Sequence, residues 1–432
     1  MDAIANALRG QAVDLGAETR GPLSALRGCP QSVAFHAEGD VATHTEWVYD
    51  LACERAEAYL RDGGDPVQAS TLRLAALLHD AGKPATTTRV ADGVYASRGH
   101  DLAGAALFGE IAHTHPVVAD LPLGARAGTQ ALIRDHMWAY AADRLSRGAA
   151  LRMTHDTDPR LLAALWDCDA RGRVCDDVRD VEDRVGYARL VLDDVGAEQP
   201  DRFGVLALAD PARASSPRAW REVFRAVANG EITDVGAAAA ALAAAERHSM
   251  GGSLTYTIGL PGLGKSTWAR EVWQPATDGV VLSAEGSRRR DRRAATSQVL
   301  SLIPTLLARG ADICVDATHL VRTTRDVLVA YAGRYGAAVH AAYFHGRLAL
   351  ALDRQRTRPS ADAVPDGRVA AMTRALRWPT PDEYQTLTVV EPGGAMWDYA
   401  PVTRWLTSDE AARLAPVTAA TWTGRVAEAR RR

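Results

Sequence analysis

The chain has 432 residues, more than one hydrophobic core usually organises, so two domains joined by a connector are expected. Hydrophobic residues make up 47% of the sequence and charged residues 24%, which excludes wholesale disorder and a fibrous repeat. The formal net charge is only -3, so overall charge does not indicate a nucleic-acid partner, and any basic site must be local.

Neither a membrane segment nor a disulfide framework is expected. The sequence lacks a run of about 18 uncharged apolar residues, and its N-terminus lacks a basic segment followed by an apolar one. The five cysteines are scattered, odd in number and without a CxxC pair. We therefore expect a cytoplasmic protein that does not act at membranes.

The pattern of apolar residues changes along the chain. Apolar residues at helical spacing, as in STLRLAALLHD, predict an all-α domain over 1–195. The Ala-rich stretch that precedes Met250 predicts a helical connector over 196–250. Over 251–405, five short apolar runs alternate with helical stretches, which predicts an α/β domain with a parallel sheet. The runs, each a predicted strand, are LTYTI, GVVLS, ICVDA, AVHAAYF and LTVVE. Residues 406–432 are predicted to form a helical tail.

A glycine-rich loop follows LTYTI. The segment GLPGLGKST satisfies the pattern G-x-x-x-x-G-K-[ST] between a predicted strand and a predicted helix. In such a loop backbone N–H groups wrap the phosphates of a nucleotide, the lysine reaches the β and γ phosphates, and the serine hydroxyl binds Mg²⁺. We expect ATP or another NTP to be bound by Gly259, Gly262, Gly264, Lys265, Ser266 and Thr267, with Ser266 as the Mg²⁺ ligand.

Charged residues after the later strands indicate phosphoryl transfer. Glu285 ends one predicted strand, where a carboxylate can accept the proton of an acceptor hydroxyl, and Arg288 can hold a substrate phosphate. The alternative for this pair is a solvent-exposed ion pair. The other residues expected at the site are a catalytic arginine on a mobile lid, Arg354, and the substrate-binding residues Asp316, Thr318 and Arg325.

Residues 254 to about 400 resemble the polynucleotide kinase family, which phosphorylates 5′-hydroxyl ends of RNA or DNA. That family usually has Asp and Arg three residues apart where this chain has Glu285 and Arg288. The resemblance implies that Glu285 activates the 5′-hydroxyl and that Arg288 contacts a phosphate of the acceptor. DATH resembles the family pattern D-x-T-N with His319 in place of Asn, and RQRTR resembles R-N-x-x-R with Gln355 in place of Asn. The run RRRDRR over 288–293 is expected to hold strand phosphates, the alternative being a solvated loop.

Histidines and aspartates recur in the N-terminal half, in DVATHT, ALLHDAGKP, RGHD, RDH and WDCDA. Such side chains on separate helices of a bundle can converge on a metal ion. His79 and Asp80 end an apolar helix, and a buried aspartate there would be costly unless a cation compensates its charge. The isolated histidines of this half, His113, His115 and His155, are expected to be surface residues instead.

Residues 30 to 180 resemble the HD phosphohydrolase superfamily, and among its members the HD module of bacterial tRNA nucleotidyltransferases. The resemblance rests on HAEGDVATHT, ALLHDAGKP, GHDLAGA and CDARGR. It implies that the domain binds one or two divalent ions such as Mn²⁺, Ni²⁺ or Co²⁺ and that Lys83 holds a phosphate. Asp167 is an alternative to Asp169 as a metal ligand. The implied ligands are His44, His79, Asp80 and Asp169 for the first ion, and His100 and His136 for a second ion bridged through Asp80.

The order of the two halves resembles the bacterial HD-Pnk family of RNA end-healing enzymes. The resemblance implies a 5′-hydroxyl polynucleotide kinase and a metal-dependent 2′,3′-phosphoesterase acting on RNA or DNA ends, with an RNA ligase as a partner. Two alternatives remain open. One is a small-molecule P-loop kinase fused to a nucleotide phosphohydrolase, and the other is a nucleotide-gated sensor whose HD half binds a ligand without turnover.

Overall fold

The computed structural model divides near residue 200 into two compact units, the first mostly helical and the second α/β. The structure describes residues 2–146, 149–150, 153, 157–194, 223, 226, 231–232, 235–246, 252–284, 292–359, 363–379, 383–384 and 386–399. Within these ranges, no helix combines the length and the apolar character that a membrane crossing needs.

The first unit is built from helices and one short hairpin. Its helices are α1 (Ala3–Arg9), α2 (Val41–Arg61), α3 (Pro66–Leu78), α4 (Lys83–Thr86), α5 (His100–Thr114), α6 (Pro116–Ala119), α7 (Leu123–Asp135), α8 (Pro159–Arg171) and α9 (Val178–Asp194). The antiparallel hairpin of β1 (Thr88–Ala91) and β2 (Val94–Ala96) lies between α4 and α5. A 3₁₀ helix over His136–Arg144 continues directly from α7.

Aspartates start three of the long helices of this unit. The Asp40 carboxylate accepts a hydrogen bond from the Thr43 backbone N–H at 3.0 Å and so caps α2. Asp65 and Asp158 cap α3 and α8 in the same way, and each is followed by a proline at the first helical position. Aspartate satisfies N–H groups that lack a helical partner, and proline has no N–H to satisfy there. The local sequence thus fixes where these helices begin.

Helix α3 is the centre of the first unit. It packs against α1, α2, α7 and α8, and its four leucines, Leu72, Leu74, Leu77 and Leu78, are buried. A helix that is apolar on all sides belongs in the middle of a fold. His79 and Asp80 follow directly after α3, so the central helix carries both side chains into the interior.

The second unit contains a six-stranded sheet. Its strands are β3 (Ser253–Ile258), β4 (Val280–Ser283), β5 (Ile313–Asp316), β6 (Ala338–Phe344), β7 (Thr386–Val390) and β8 (Met396–Tyr399). A helix over Val235–Glu246, α10, precedes the sheet. The helices that follow β3 are α11 (Lys265–Trp268), a π-helical turn (Ala269–Trp273), α12 (Gln274–Thr277), α13 (Arg292–Leu307), α14 (Arg322–Arg334), α15 (Leu348–Arg356) and α16 (Asp366–Ala375).

Strand order explains where this unit places its site. The order is β4-β5-β3-β6-β7-β8, in which the first five strands are parallel and β8 pairs antiparallel with β7. Strand β3 is buried along its whole length between β5 and β6, as its apolar sequence predicts. Ligands of open parallel sheets bind beyond the carboxyl ends of the strands, which is where the glycine-rich loop follows β3.

The fold class predicted from the sequence, a helical bundle followed by an α/β unit with a parallel sheet, is confirmed. The five predicted strands correspond to β3–β7. The sequence did not predict β8 or the hairpin β1–β2. Strand β8 follows a tight turn in which the Glu391 N–H bonds to the Ala395 carbonyl at 2.9 Å, and it adds an antiparallel edge to the sheet.

The predicted domain boundaries stay predictions. The connector proposed over 196–250 is described only at 223, 226, 231–232 and 235–246, and α10 occupies the last of these ranges. The helical tail proposed over 406–432 lies outside the described residues.

A buried ion pair joins two distant parts of the second unit. The guanidinium group of Arg325, on α14, donates from Nε to Glu383 Oε2 at 2.5 Å and from Nη2 to Glu383 Oε1 at 3.1 Å. Its Nη1 donates to the carbonyl of His319 at 2.9 Å. Both side chains are fully buried. The sequence analysis placed Arg325 in contact with substrate, and the structure places it inside the fold, where its charge is neutralised by Glu383.

We predict that Glu383→Ala destabilises the second unit by about 3–5 kcal/mol, because it leaves the Arg325 charge buried without a partner. Urea unfolding followed by circular dichroism measures this change. Glu271→Ala, which removes an exposed carboxylate of the same unit, is the control and should change the free energy of unfolding little. Equal stability of the two variants would contradict the role given to the Arg325–Glu383 pair.

Candidate metal centre and phosphate-binding loop

Six histidine and aspartate side chains meet in the interior of the first unit. They come from α2, from the residues after α3, from the first residue of α5, from the start of the 3₁₀ helix and from α8. All six are buried: His44, His79, Asp80, His100, His136 and Asp169. The sequence predicted this set, and the structure brings every member together. That they bind metal stays a prediction.

Asp80 stands between two groups of ligand atoms. One nitrogen or oxygen from each of His44, His79 and Asp169 lies within 4.8 Å of the others, and the same holds for Asp80, His100 and His136. Asp80 Oδ1 lies 3.2 Å from His100 Nε2, while Asp80 Oδ2 lies 3.3 Å from His79 Nε2. One carboxylate therefore reaches both groups, as a bridging ligand would.

Backbone carbonyls fix the orientation of the histidines. A carbonyl oxygen only accepts hydrogen bonds, so an Nδ1 atom bonded to it must carry the proton, and Nε2 of the neutral ring keeps its lone pair. This arrangement is the usual one for histidines that bind metal through Nε2. The four Nδ1 bonds are His79 to Ala76 at 2.7 Å, His100 to Ser97 at 2.7 Å, His136 to Ile133 at 2.7 Å and His44 to Gly172 at 3.1 Å.

The inward-facing Nε2 atoms fit a cation. Nε2 of His100 lies 3.0 Å from Nε2 of His136, so with both Nδ1 atoms protonated either a shared proton or a metal ion must lie between or beside the two lone pairs. Nε2 of His79 is buried and has no hydrogen-bond partner among the described residues. Buried polar atoms are normally satisfied. The donor set of imidazole nitrogens and carboxylates therefore suits one or two divalent transition-metal ions.

The protonation states of two side chains of the centre also suit a cation. Burial raises the pKa of Asp80, but the ammonium group of Lys83 and the contacts with His79 and His100 lower it more, and the result lies well below the usual value. Burial lowers the pKa of His136 to about 3. Metal ligands must be deprotonated to bind, and these two side chains are so at neutral pH.

Two cations neutralise the two carboxylates. Lys83 Nζ lies 2.7 Å from Asp80 Oδ2 and donates to Gln31 Oε1 at 2.7 Å. Arg173 Nη2 donates to Asp169 Oδ1 at 2.7 Å, and its guanidinium carbon lies 4.4 Å from the ring centroid of Tyr140. The sequence analysis singled out Lys83 but missed Arg173. Its position at the end of the CDARGR segment, four residues after Asp169, was the available signal.

Glu38 is a second residue that the sequence analysis missed. Its Oε1 atom lies 2.7 Å from His36 Nδ1 and 3.1 Å from His44 Nδ1, and its Oε2 accepts from the Val174 N–H at 2.8 Å. A carboxylate beside the outer nitrogen of a metal-binding histidine holds the ring and makes Nε2 more basic. Glu38 lies in the HAEGD segment, six residues before His44.

The structure separates the ligand candidates from their neighbours. Asp167 pairs with Arg55 at 2.5 Å on another face of α8, so Asp169 is the aspartate of this helix that reaches the centre. His113 was expected at the surface, but it is buried and donates Nδ1 to the Gly109 carbonyl. His115 lies 3.1 Å from Asp2, and His155 lies outside the described residues.

An open cleft of about 510 Å³ leads to the centre. Asp80, His100, His136 and Asp169 face this cleft. The side chains around them include Phe35, Lys83, Tyr95, Arg98, Tyr140 and Arg173. The cleft has carboxylates and imidazoles at one end and cations and aromatic rings around them. This lining suits a substrate that has both a phosphate and a planar group.

In the second unit, the glycine-rich loop has the conformation that its sequence predicts. Gly259, Gly262 and Gly264 have φ angles of 143°, 89° and 92°, which side chains other than glycine rarely allow. A Cβ atom at Gly262 would also lie 2.7 Å from the carbonyl oxygen of Ala351. Lys265 Nζ donates to the Leu260 carbonyl at 2.7 Å across the loop. Ser266 and Thr267 follow in the first turn of α11.

Segments after the neighbouring strands border the loop. The Gly259 N–H donates to the Thr318 carbonyl at 3.1 Å. Asp316 ends β5 and accepts a hydrogen bond from the Ser283 hydroxyl, at the end of β4, at 3.2 Å. His319 has a φ angle of 36°, in a region of backbone conformation that histidine tolerates better than most residues do. Asparagine, the residue of the D-x-T-N pattern at this position, tolerates the same region. The DATH segment therefore lies directly beside the phosphate-binding loop.

Arg354 also borders the loop. From α15 it donates to the Gly262 carbonyl at 3.4 Å and to the Pro392 carbonyl at 3.2 Å. Arg356, on the same helix, instead pairs with Asp366 at 3.2 Å in solvent. The predicted general base Glu285, the predicted substrate ligand Arg288 and the rest of the run over 288–291 lie outside the described residues, so nothing here tests them.

We predict that Mn²⁺ raises the melting temperature of the first unit by about 5–10 °C over its value in EDTA, because ions near 100 times their dissociation constant add about 2.7 kcal/mol. His79→Ala should remove most of this shift, since it deletes a buried ligand atom. Differential scanning calorimetry measures both. His113→Ala, which removes a buried histidine outside the centre, should keep the shift. A full Mn²⁺ shift in His79→Ala would refute the assignment.

Comparison with known families assigns both halves. The family model described as an HD domain matches residues 41–148, a range that includes five of the six side chains of the centre and stops before Asp169. The model described as an AAA domain matches residues 254–379, which include the glycine-rich loop and Arg354. No curated protein matches the chain. The chain thus joins an HD domain to a P-loop, kinase-like AAA domain.

Proposed function

We propose that this protein heals broken RNA ends, with its AAA domain as a 5′-hydroxyl polynucleotide kinase and its HD domain as a 2′,3′-phosphoesterase. The observation that carries the proposal is the presence in one chain of a histidine–aspartate centre and a phosphate-binding loop bordered by Arg354. A break that leaves a 2′,3′-cyclic phosphate and a 5′-hydroxyl needs both activities. The HD domain would hydrolyse the cyclic diester with one water and the resulting phosphomonoester with a second, which releases inorganic phosphate and leaves a 3′-hydroxyl. This end and the 5′-phosphate made by the kinase are the ends that an RNA ligase joins in the cytoplasm.

In the kinase reaction, the loop glycines hold the phosphates of ATP through their N–H groups, and Lys265 balances the charge on the β and γ phosphates. Ser266 would hold Mg²⁺, which would supply further charge neutralisation. The acceptor oxygen forms a bond to the γ phosphorus as the bond from that phosphorus to the β-γ bridging oxygen breaks. Glu285 takes the proton of the hydroxyl, and Arg354 stabilises the transferred group. Arg288 to Arg293, Asp316 and Thr318 bind the strand.

In the phosphoesterase reaction, His44, His79 and Asp169 would hold one ion, and His100 and His136 a second one, with Asp80 between them. A divalent ion such as Mn²⁺, Ni²⁺ or Co²⁺ supplies Lewis acidity toward a phosphate oxygen and lowers the pKa of water. Lys83 and Arg173 border the same cleft and orient the phosphate. Glu38 holds the His44 ring through its outer nitrogen. The RNA backbone beyond the terminal phosphate stays in the open part of the cleft.

For the kinase, we predict that Lys265→Ala and Arg354→Ala each lower kcat/KM for a 5′-hydroxyl RNA at least about 100-fold, because each removes a charge beside the transferred phosphoryl group. Transfer of label from γ-labelled ATP to the RNA 5′ end measures the reaction. Arg356→Ala removes an arginine of the same helix that faces solvent, and it should retain activity. If wild-type protein binds ATP but labels neither RNA nor DNA, a small-molecule acceptor or a regulatory role replaces this proposal.

For the phosphoesterase, we predict that Asp80→Asn lowers the hydrolysis of an RNA 2′,3′-cyclic phosphate end at least about 100-fold in Mn²⁺, because it removes the carboxylate shared by both groups of ligands. Chromatography of the RNA ends measures the product. Asp167→Asn, which alters the neighbouring aspartate paired with Arg55, should retain activity. Similar loss in both variants would show that the measured hydrolysis does not depend on the centre.

A further inference from the structure

One cation of the HD cleft is not committed to the centre. Lys83 is paired with Asp80, and Arg173 with Asp169, so part of the charge of each is offset before a phosphate binds. Arg98 also lines the cleft, but it is exposed and forms no ion pair or hydrogen bond with the described residues. Because Arg98 does not neutralise a carboxylate of the centre, it can pair with an anion that enters the cleft from solvent.

The backbone at Arg98 is anchored near the centre. It lies between the hairpin and α5, two residues before His100. The carbonyl of the preceding residue, Ser97, accepts the Nδ1 proton of His100 at 2.7 Å, and the Ser97 hydroxyl lies 2.7 Å from that of Thr87. The backbone that carries Arg98 is therefore tied to the centre on one side and to the start of the hairpin on the other.

An aromatic side chain lines the same cleft. Phe35 is 54% exposed although it lies beside a charged centre. Its turn is anchored, because the Ser32 hydroxyl donates to the Tyr95 carbonyl at 2.9 Å and accepts from the Tyr95 N–H at 2.8 Å. The N–H of Phe35 itself donates to the Ser32 carbonyl at 3.0 Å. The backbone that carries the ring is thus a closed turn attached to the hairpin.

We infer that Phe35 and Arg98 form a subsite for the nucleoside that carries the terminal phosphate and for the phosphodiester on its 5′ side. The base stacks on Phe35, and the phosphodiester pairs with Arg98. Base stacking on an aromatic ring is favourable for every base, and arginine is suited to phosphate. The inference rests on the proposed function for its choice of ligand, and it makes the HD domain selective for polynucleotide ends over free phosphate monoesters.

Charge and size favour this ligand over a peptide. The rim of the cleft carries Arg98, with Lys83 and Arg173 deeper, and this pattern complements the regularly spaced anions of a nucleic-acid strand. A volume of about 510 Å³ lies within the range of roughly 300–1,000 Å³ that is usual for sites of small organic ligands. A phosphate group bound at the centre would not contact the rim of the cleft, where Phe35 and Arg98 lie.

Three ligands separate the two parts of the subsite. Inorganic phosphate touches neither residue, a nucleoside 3′-phosphorothioate touches Phe35, and a dinucleotide with a 3′-phosphorothioate touches both. Isothermal titration measures their binding to the full-length protein in Mn²⁺, with the AAA domain saturated by a non-hydrolysable ATP analogue. Turnover is not required, so the measurement does not depend on the proposed activity.

Phe35→Ala should weaken binding of the nucleoside and dinucleotide ligands about tenfold and leave phosphate unchanged, whereas Phe35→Trp should bind like wild type. Arg98→Ala should weaken the dinucleotide alone and reduce the slope of log affinity against log salt by about 0.7. The controls are Val33→Ala, a 69% exposed residue of the same turn that does not line the cleft, and Arg89→Ala, an exposed arginine of the hairpin.

Each remaining outcome decides the inference. Wild-type protein that binds the dinucleotide no more tightly than phosphate, or variants that bind all three ligands like wild type, would overturn it. In that case the exposed Phe35 serves another class of partner, such as a protein. Wild-type protein that binds the dinucleotide through both residues yet hydrolyses no RNA end would establish the subsite and refute the proposed function.

Discussion

The structure of the first unit depends on a negative charge at its centre. Asp80 is buried and ionised, and an isolated carboxylate in such a place would be expensive to desolvate. Among the described residues, Lys83 approaches it as a permanent cation, and backbone carbonyls fix the Nδ1 atoms of His79 and His100 beside it. The helices that reach the centre bring its six histidine and aspartate side chains together.

Much of both sites could be predicted from the sequence because the relevant residues are local. His79 and Asp80 follow an apolar helix, and the glycines of the phosphate-binding loop recur at a fixed spacing after a buried strand. The resemblance to known families added residues on distant helices, such as His136 and Asp169. The sequence pattern was sufficient to predict the position of a residue whose neighbours in the sequence are also its neighbours in space.

Contacts between distant residues were the part that the sequence did not predict. Arg325 looked like a substrate ligand because the residue that neutralises it, Glu383, lies 58 residues away. Asp167 and Asp169 are two residues apart and looked equivalent, but a helix points them in different directions, and only Asp169 faces His44. The burial of His113 likewise depends on how α5 packs against other helices, and the sequence of α5 alone does not predict this packing.

The bonds from histidine Nδ1 atoms to backbone carbonyls have a consequence for how the centre is assembled. Three of these carbonyls lie three residues before their histidines, so each ring is oriented by its own chain segment rather than by a metal ion. Such a centre is preorganised, and an ion that enters it orders few side chains that were free before. On the proposed function, the helical unit would fold first, take up its ions later and exchange one metal for another without unfolding.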